Sequence, residues 1–326
     1  MEPNFVPRAD DTILEAASNS QTPKSNETKL ANRLGRRRSG GSEFPMIMPA
    51  SPPDPHVALQ RYVTALLAAD WTDPAGPLRL NDNLAPSQLA HAPFFLNVRS
   101  LLRTLDADGG TPATATGNLN RAFVWRMFER MAMHDDYRES FRHHYKALNE
   151  QELNPLHLVR IVCECGRLIA KRNKRFTITR RGRELLPDDQ AGALYRHLFV
   201  AHFREFNLGY RFHLRDVAGI QETMAVILWR LAHVARDWTP VQGLAEQVLI
   251  PPVFAQLRAA QTHPMDTDEW ILAGYALNPL LDFGLIEKQP AGDLPRSGRG
   301  WPGCDDKDHI RVTALFHRFL SFPDEP

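Results

Sequence analysis

The sequence predicts a mostly α protein with small β-hairpins, arranged as two folded units behind a disordered tail. Three observations predict it. Apolar residues recur at helical spacing through most of 56–282. Two short segments, 167–179 and 284–313, replace that rhythm with strand-like alternation around loops. Residues 1–50 mix Ser, Asn, Thr, Pro and charges with no apolar period. The expected boundaries are 1–50 for the tail, 56–187 for the first unit and 188–326 for the second.

Composition agrees with that division. At ~150 residues per domain, 326 residues suit two. With 39 basic and 38 acidic residues, 43% apolar and 24% charged, the chain has an ordinary globular composition. Its 17 Phe, 6 Trp and 6 Tyr can build a core, which excludes a wholly disordered chain. The longest uncharged apolar run, Met224–Trp229, is far short of the ~20 residues of a membrane helix. Cys163, Cys165 and Cys304 are too few for a disulfide framework, and no secretory apolar stretch follows Met1. A cytoplasmic location is therefore expected. The tail holds Lys24, Lys29, Arg33, Arg36, Arg37 and Arg38. These read as a solvated linker, or as a nucleic-acid-binding arm or localisation signal.

In the first unit, Val57, Leu59, Tyr62, Val63, Leu66 and Leu67 mark one helix. Pro93 sits in the first turn of a second, running to Leu105. Thr111–Thr116 predicts a brief strand. Thr116 or Asn118 is the expected cap of a helix with Leu119, Phe123, Val124, Met127, Phe128 and Met131 on one stripe. Asn154-Pro155 opens another, with Asn as cap, ending at Gly166. Residues 167–179 predict two strands around a tip at Lys171–Arg175, and Thr179 caps a last short helix.

In the second unit, Leu194, Leu198, Phe199, His202 and Phe206 form one stripe, and Ile220 through Val234 a longer one. Thr239-Pro240-Val241-Gln242 predicts a capping box. A helix follows from Asp268 to about Asp282, then Gly284-Leu285-Ile286, a loop and an alternating strand from Ile310. Asn154-Pro155-Leu156 recurs as Asn278-Pro279-Leu280 at a different offset from its hairpin, which marks that match as chance.

The order helix, short strand, helix, helix, hairpin resembles the winged helix-turn-helix superfamily. The matching residues are the Leu156–Cys165 helix, Gly166-Arg167-Leu168-Ile169, and Phe176 through Leu186. The second hairpin ends alike, so tandem winged-helix-like units are expected. More distantly, Thr116–Arg121 and Phe203–Asn207 resemble an uncharacterised plasmid-borne bacterial family with such domains, a likeness that implies no biochemical role.

Charge is sharply polarised under the near-neutral total. Residues 160–183 carry Arg160, Arg167, Lys171, Arg172, Lys174, Arg175, Arg180, Arg181 and Arg183 against the single carboxylate Glu164. A basic hairpin of this kind fits phosphate tracking on double-stranded DNA. The preceding helix offers only His157, Arg160 and Glu164, which is poor material for base readout. The competing reading is a solvated hairpin, or one docked on an acidic protein surface. The second unit, with Asp266, Asp268, Glu269 and Asp282 near its hairpin, suits a protein partner better than phosphate.

Catalytic signals are weak. Asp135, Glu139 and His143 share a helical face, but Arg138 and Arg142 interrupt it. Cys163 and Cys165 lack zinc spacing, and Cys304 lies in a loop with no positioned base. Gly298–Gly303 neither follows a strand nor opens a helix, as a phosphate cradle would require. His197, His202 and His213 share no metal spacing. The expectation is a protein without cofactor or catalysis. It contacts DNA without strong sequence preference, as a regulator or mobile-element accessory factor. The alternative is a protein–protein interaction module.

Overall fold

A computed structural model describes residues 54–133, 135–212, 217–263, 266–289, 303–323 and 325. The basic tail, His213 and the Trp301 loop lie outside the described residues. The architecture is mostly helical with small antiparallel sheets. No helix among the described residues is long and apolar enough to cross a membrane.

Helix α1 (Pro55–Leu67) leads through β1 (Arg79–Leu80) into a first run of elements. That run is α2 (Pro93–Ala107), β2 (Thr111–Pro112), α3 (Arg121–Arg130), α4 (Asp135–His144), α5 (Asn154–Cys165), β3 (Ile169–Arg172), β4 (Arg175–Ile178) and α6 (Arg180–Leu185). Helix α7 (Ala191–Val200) continues into a π-helical turn, Ala201–Glu205. After α8 (Ala218–Glu222) the same order occurs again. It comprises α9 (Met224–Val234), β5 (Thr239–Pro240), α10 (Leu244–Val248), α11 (Pro251–Ala260) and α12 (Asp268–Leu272). A π-helical turn at Ala273–Leu277 leads into α13 (Asn278–Asp282), β6 (Ile286–Gln289), β7 (His309–Val312), α14 (Ala314–Phe319) and β8 (Leu320–Ser321). Strand β8 pairs with β1 and so joins the end of the chain to the segment behind α1.

The two runs agree in detail. Each sheet has the short strand against the second hairpin strand, in the orders β2-β4-β3 and β5-β7-β6. Thr179 and Thr313 both cap the last helix, and both hydroxyls donate to the carbonyls of the turn before the hairpin. That turn takes the left-handed conformation at Arg167 (φ 55) and at Gly284 (φ 70). Leu168 N–H donates to Cys163, and Leu285 N–H to Leu280. Cys163 therefore corresponds to Leu280, and the two Asn-Pro-Leu segments do not correspond.

Several local expectations are corrected. Asn120, not Thr116 or Asn118, caps α3, its side chain accepting from Phe123 N–H at 3.0 Å. Gly117 at φ 83 ends helical geometry upstream, and Thr114, Thr116 and Asn118 bond one another instead. Asn154 is already helical, and Leu153 takes the cap position. Thr239-Pro240 is a strand rather than a helix start, because its backbone pairs with β7 and the Thr239 hydroxyl donates to Val234 and Asp237 carbonyls. Thr223 divides the long stripe into α8 and α9.

Pro52–Pro326 form one compact unit. An aromatic seam joins its two runs. Phe94 of α2 stacks on Phe283 at 4.9 Å, Phe283 meets Phe199 edge-on at 5.5 Å, and Phe199 meets Phe319 at 5.0 Å. The Tyr195 hydroxyl donates to the Phe283 carbonyl at 2.7 Å, which satisfies it inside the seam. F283A should cost about 4 kcal/mol in urea unfolding. V57S, on the exposed side of α1, should change stability by no more than about 0.5 kcal/mol. Equal effects of the two would show that the seam does not hold the fold.

Candidate nucleic-acid interface

Strands β3 and β4 form a hairpin by the register Ile169↔Ile178, Ala170↔Thr177, Lys171↔Phe176 and Arg172↔Arg175. Asn173 and Lys174 make the two-residue turn, both left-handed at φ 49 and 56. This is the turn geometry that matches strand twist. Asn tolerates it; Lys does so at a cost of about 1 kcal/mol. Ile169, Phe176 and Ile178 are buried, while Arg172 and Arg175 share the outer face. Like charges directly opposite each other destabilise a sheet.

Eight of the nine sequence-assigned basic residues are exposed. They differ in what they touch. Arg175 donates to the carbonyls of Gly109 (3.3 Å) and Gly110 (2.8 Å), at the C-terminal end of α2. There the helix dipole favours a cation. Arg183 pairs with Asp106 at 2.8 Å and Arg180 with Glu184 at 2.7 Å. Both pairs are open to solvent, where such contacts contribute roughly 0–1 kcal/mol. Lys171 lies over the Phe176 ring and reaches the Gly117 carbonyl at 3.4 Å. Among the described residues, the side chains of Arg167, Arg172 and Lys174 have no hydrogen-bond or ion-pair partner.

His197 supports Arg181. Its Nε2 lies 2.6 Å from the Gly166 carbonyl and so carries the proton, leaving Nδ1 to accept from Arg181 at 3.3 Å. Burial, the largest influence, lowers the His197 pKa, the Gly166 hydrogen bond opposes it, and Arg181 lowers it further. The neutral ring therefore ties α7 to the turn before the hairpin. His202 is buried among Phe94, Phe203, Phe206 and Phe283.

Arg160 departs from the expectation. Its side chain is buried and forms ion pairs with Glu150 and Glu164, so it does not belong to the exposed basic face. Glu150 is the centre of a buried network that the sequence reading missed. Its carboxylate accepts from the Leu119 N–H, from Arg160 and from His157, and His157 in turn meets the Tyr210 hydroxyl at 3.2 Å. The signal was faint, because Glu150 stands in a polar stretch with no apolar periodicity around it.

Helix α5 turns one face inward. Leu156, Leu158, Val159, Arg160, Val162 and Cys163 are all buried, packed against α2 and the Ala201–Glu205 turn. A cavity of only about 20 Å³ separates Phe94, Asn97, Leu158 and Val159 from Asp282. Its counterpart in the second run, Ala273–Leu280, is buried throughout. Burial pushes the Cys163 thiol up and, less completely, that of Cys165, which keeps both protonated. An open groove of about 530 Å³ runs between β2 and α3. Its titratable groups, Asp108 and Arg126, pair with each other at 2.5 Å.

The second hairpin has a different charge pattern. Glu287 lies opposite Arg311 and pairs with it, Lys288 pairs with Asp308 at 3.2 Å, and the tip-side pair is Gln289 and His309. Arg311 lies 4.6 Å over Trp238.

Residues 90–193 match the family described as Y4jL N-terminal domain. The match starts just before α2 and ends just inside α7, so it covers the whole first run and about a third of the chain. No curated protein and no solved structure matches the chain.

Burial is the largest influence on Glu150 and raises its pKa, but the His157 hydrogen bond, the Arg160 charge and the Leu119 N–H outweigh it and hold the carboxyl below its ordinary 4.5. A depressed folded value means the carboxylate stabilises the fold above that ordinary value. The contribution is lost as pH falls through the folded value. E150Q should cost about 3 kcal/mol at neutral pH. It should also flatten the acid limb of a stability-against-pH curve, and an unchanged limb would show that Glu150 does not titrate there.

Proposed function

We propose that this protein binds double-stranded DNA through its phosphate backbone, with the β3–β4 hairpin of a winged-helix-like unit as the contact and little preference for sequence. The observation that carries the reading is the hairpin tip. Arg172 and Arg175 face each other in register, a lysine occupies a strained turn position, and no carboxylate joins them. Isolated, that arrangement is unfavourable on two counts. A row of phosphates supplies the missing negative charge and releases counterions on binding.

The inward burial of α5, whose polar side chains are few, supports phosphate contact over base readout. Partition of the charges supports a graded set. Arg167, Arg172 and Lys174 are uncommitted, Lys171, Arg180, Arg181 and Arg183 hold weak local partners, and Arg175 anchors the hairpin to α2. A cytoplasmic regulator or mobile-element accessory factor, rather than an enzyme, suits such a binder. A second reading, docking of a protein partner, draws on the charge-compensated second hairpin and the half-exposed Trp238 and Trp270.

Titration of the full chain against a mixed-sequence duplex at several salt concentrations tests the proposal. Log affinity should fall linearly with log salt, with a slope of about −0.9 per phosphate contacted. The combined change of Lys171, Arg172, Lys174 and Arg175 to Ala should abolish binding. Absence of binding by folded wild-type protein at low salt refutes the reading and shifts weight to a protein partner. K174G separates fold from function: it should stabilise the protein by about 1 kcal/mol while weakening DNA binding. Weaker binding without added stability would remove the strain argument.

A further inference from the structure

The loop between β2 and α3 lies against the hairpin tip. Ala113 N–H donates to the Lys174 carbonyl at 2.8 Å, so the end of β2 reaches the turn itself. Thr114–Asn118 then folds back: Gly117 N–H donates to Thr114, Thr114 N–H to Asn118, and Ala113 bridges Leu119. Lys171 crosses from the hairpin to the Gly117 carbonyl. Gly117 is needed there because its φ is 83, while a Cβ would meet only the flexible end of Lys171.

The loop is an addition to the repeated plan. Eight residues separate β2 from α3, whereas three separate β5 from α10. In the second run that short link is tied to a carboxylate, Gly243 N–H donating to Glu269 at 3.0 Å. The first-run loop is also tied to a carboxylate, Leu119 N–H donating to Glu150, but it carries none of its own. No Asp or Glu occurs from Gly109 to Phe128, and Thr116 and Ala115 are exposed. The Thr116 hydroxyl and the Asn118 amide lie within 3.4 Å of each other. Hydroxyl and amide side chains beside a lysine are the neutral half of a phosphate-binding set.

We infer that Thr116 and Asn118, with Lys171, form a second phosphate subsite on the edge of the hairpin, so that the DNA-binding surface is two adjacent turns rather than one hairpin tip. This rests on the reading proposed above. Arg172 and Lys174 supply charge at one turn. Thr116 and Asn118 supply directed, uncharged hydrogen bonds at the other, and Lys171 serves both.

Neutral and charged contacts leave different signatures in salt titration, because only charged groups release counterions. For the full chain and a labelled mixed-sequence duplex, T116A/N118A should weaken binding by about fivefold with an unchanged salt slope. K171A should weaken it and reduce the slope by about one. A115E places a carboxylate at an exposed position of the same loop, where it bears on no packing. It should weaken binding at least as much as T116A/N118A, while A115Q binds as wild type. Wild-type binding with T116A/N118A and A115E both unaffected overturns the subsite and leaves the hairpin reading intact. No binding by the wild type overturns both. Thermal melts of each variant keep loss of fold apart from loss of contact.

Discussion

The burial of the helix that precedes each hairpin constrains the rest of the molecule. Helix α5 buries its apolar face, and the Ala273–Leu280 stretch is buried throughout. Their enclosure brings the two runs of elements together along the Phe94–Phe283–Phe199–Phe319 seam. A polar group in such a place needs partners. Arg160, on the buried face of α5, has Glu150 and Glu164. The hairpins are what remains at the surface. Each is fastened at its base by a threonine cap and a left-handed residue.

The charges on the paired strands are where the two runs part. The same strand register places Ala170 opposite Thr177 and Arg172 opposite Arg175 in one hairpin, and Glu287 opposite Arg311 and Gln289 opposite His309 in the other. Among the described residues the second hairpin pairs Glu287 with Arg311 and Lys288 with Asp308, while the first concentrates positive charge and adds a strained lysine. In the reading proposed above, phosphate relieves the strain and like charge at the first hairpin's tip. The longer, carboxylate-free loop beside that tip points the same way.

Much of this was legible in the sequence. Helical periodicity located most helices, the alternation of Phe176 and Ile178 with Thr177 and Thr179 located a strand, and the density of lysine and arginine located the candidate surface. Misplacements came where local signals compete. Thr116, Asn118 and Asn120 are all good caps within five residues, and only the fold of the loop leaves Asn120 at the helix. Thr239-Pro240 suits a first helical turn and an edge strand equally well, and pairing with β7, about seventy residues on, selects the strand.

Sequence alone determined the helical class, the presence of two hairpins and the net positive character of 160–183, because each follows from side chains within a few residues of one another. Tertiary structure decided which of those charges reach solvent. Arg160 and Arg167 are indistinguishable by composition, yet one is buried against Glu150 and the other stands exposed at a left-handed turn. It also decided that Thr116 and Asn118 lie beside Lys171, and that Asp106 lies beside Arg183. Those neighbours are tens of residues apart along the chain, and only packing brings them within reach.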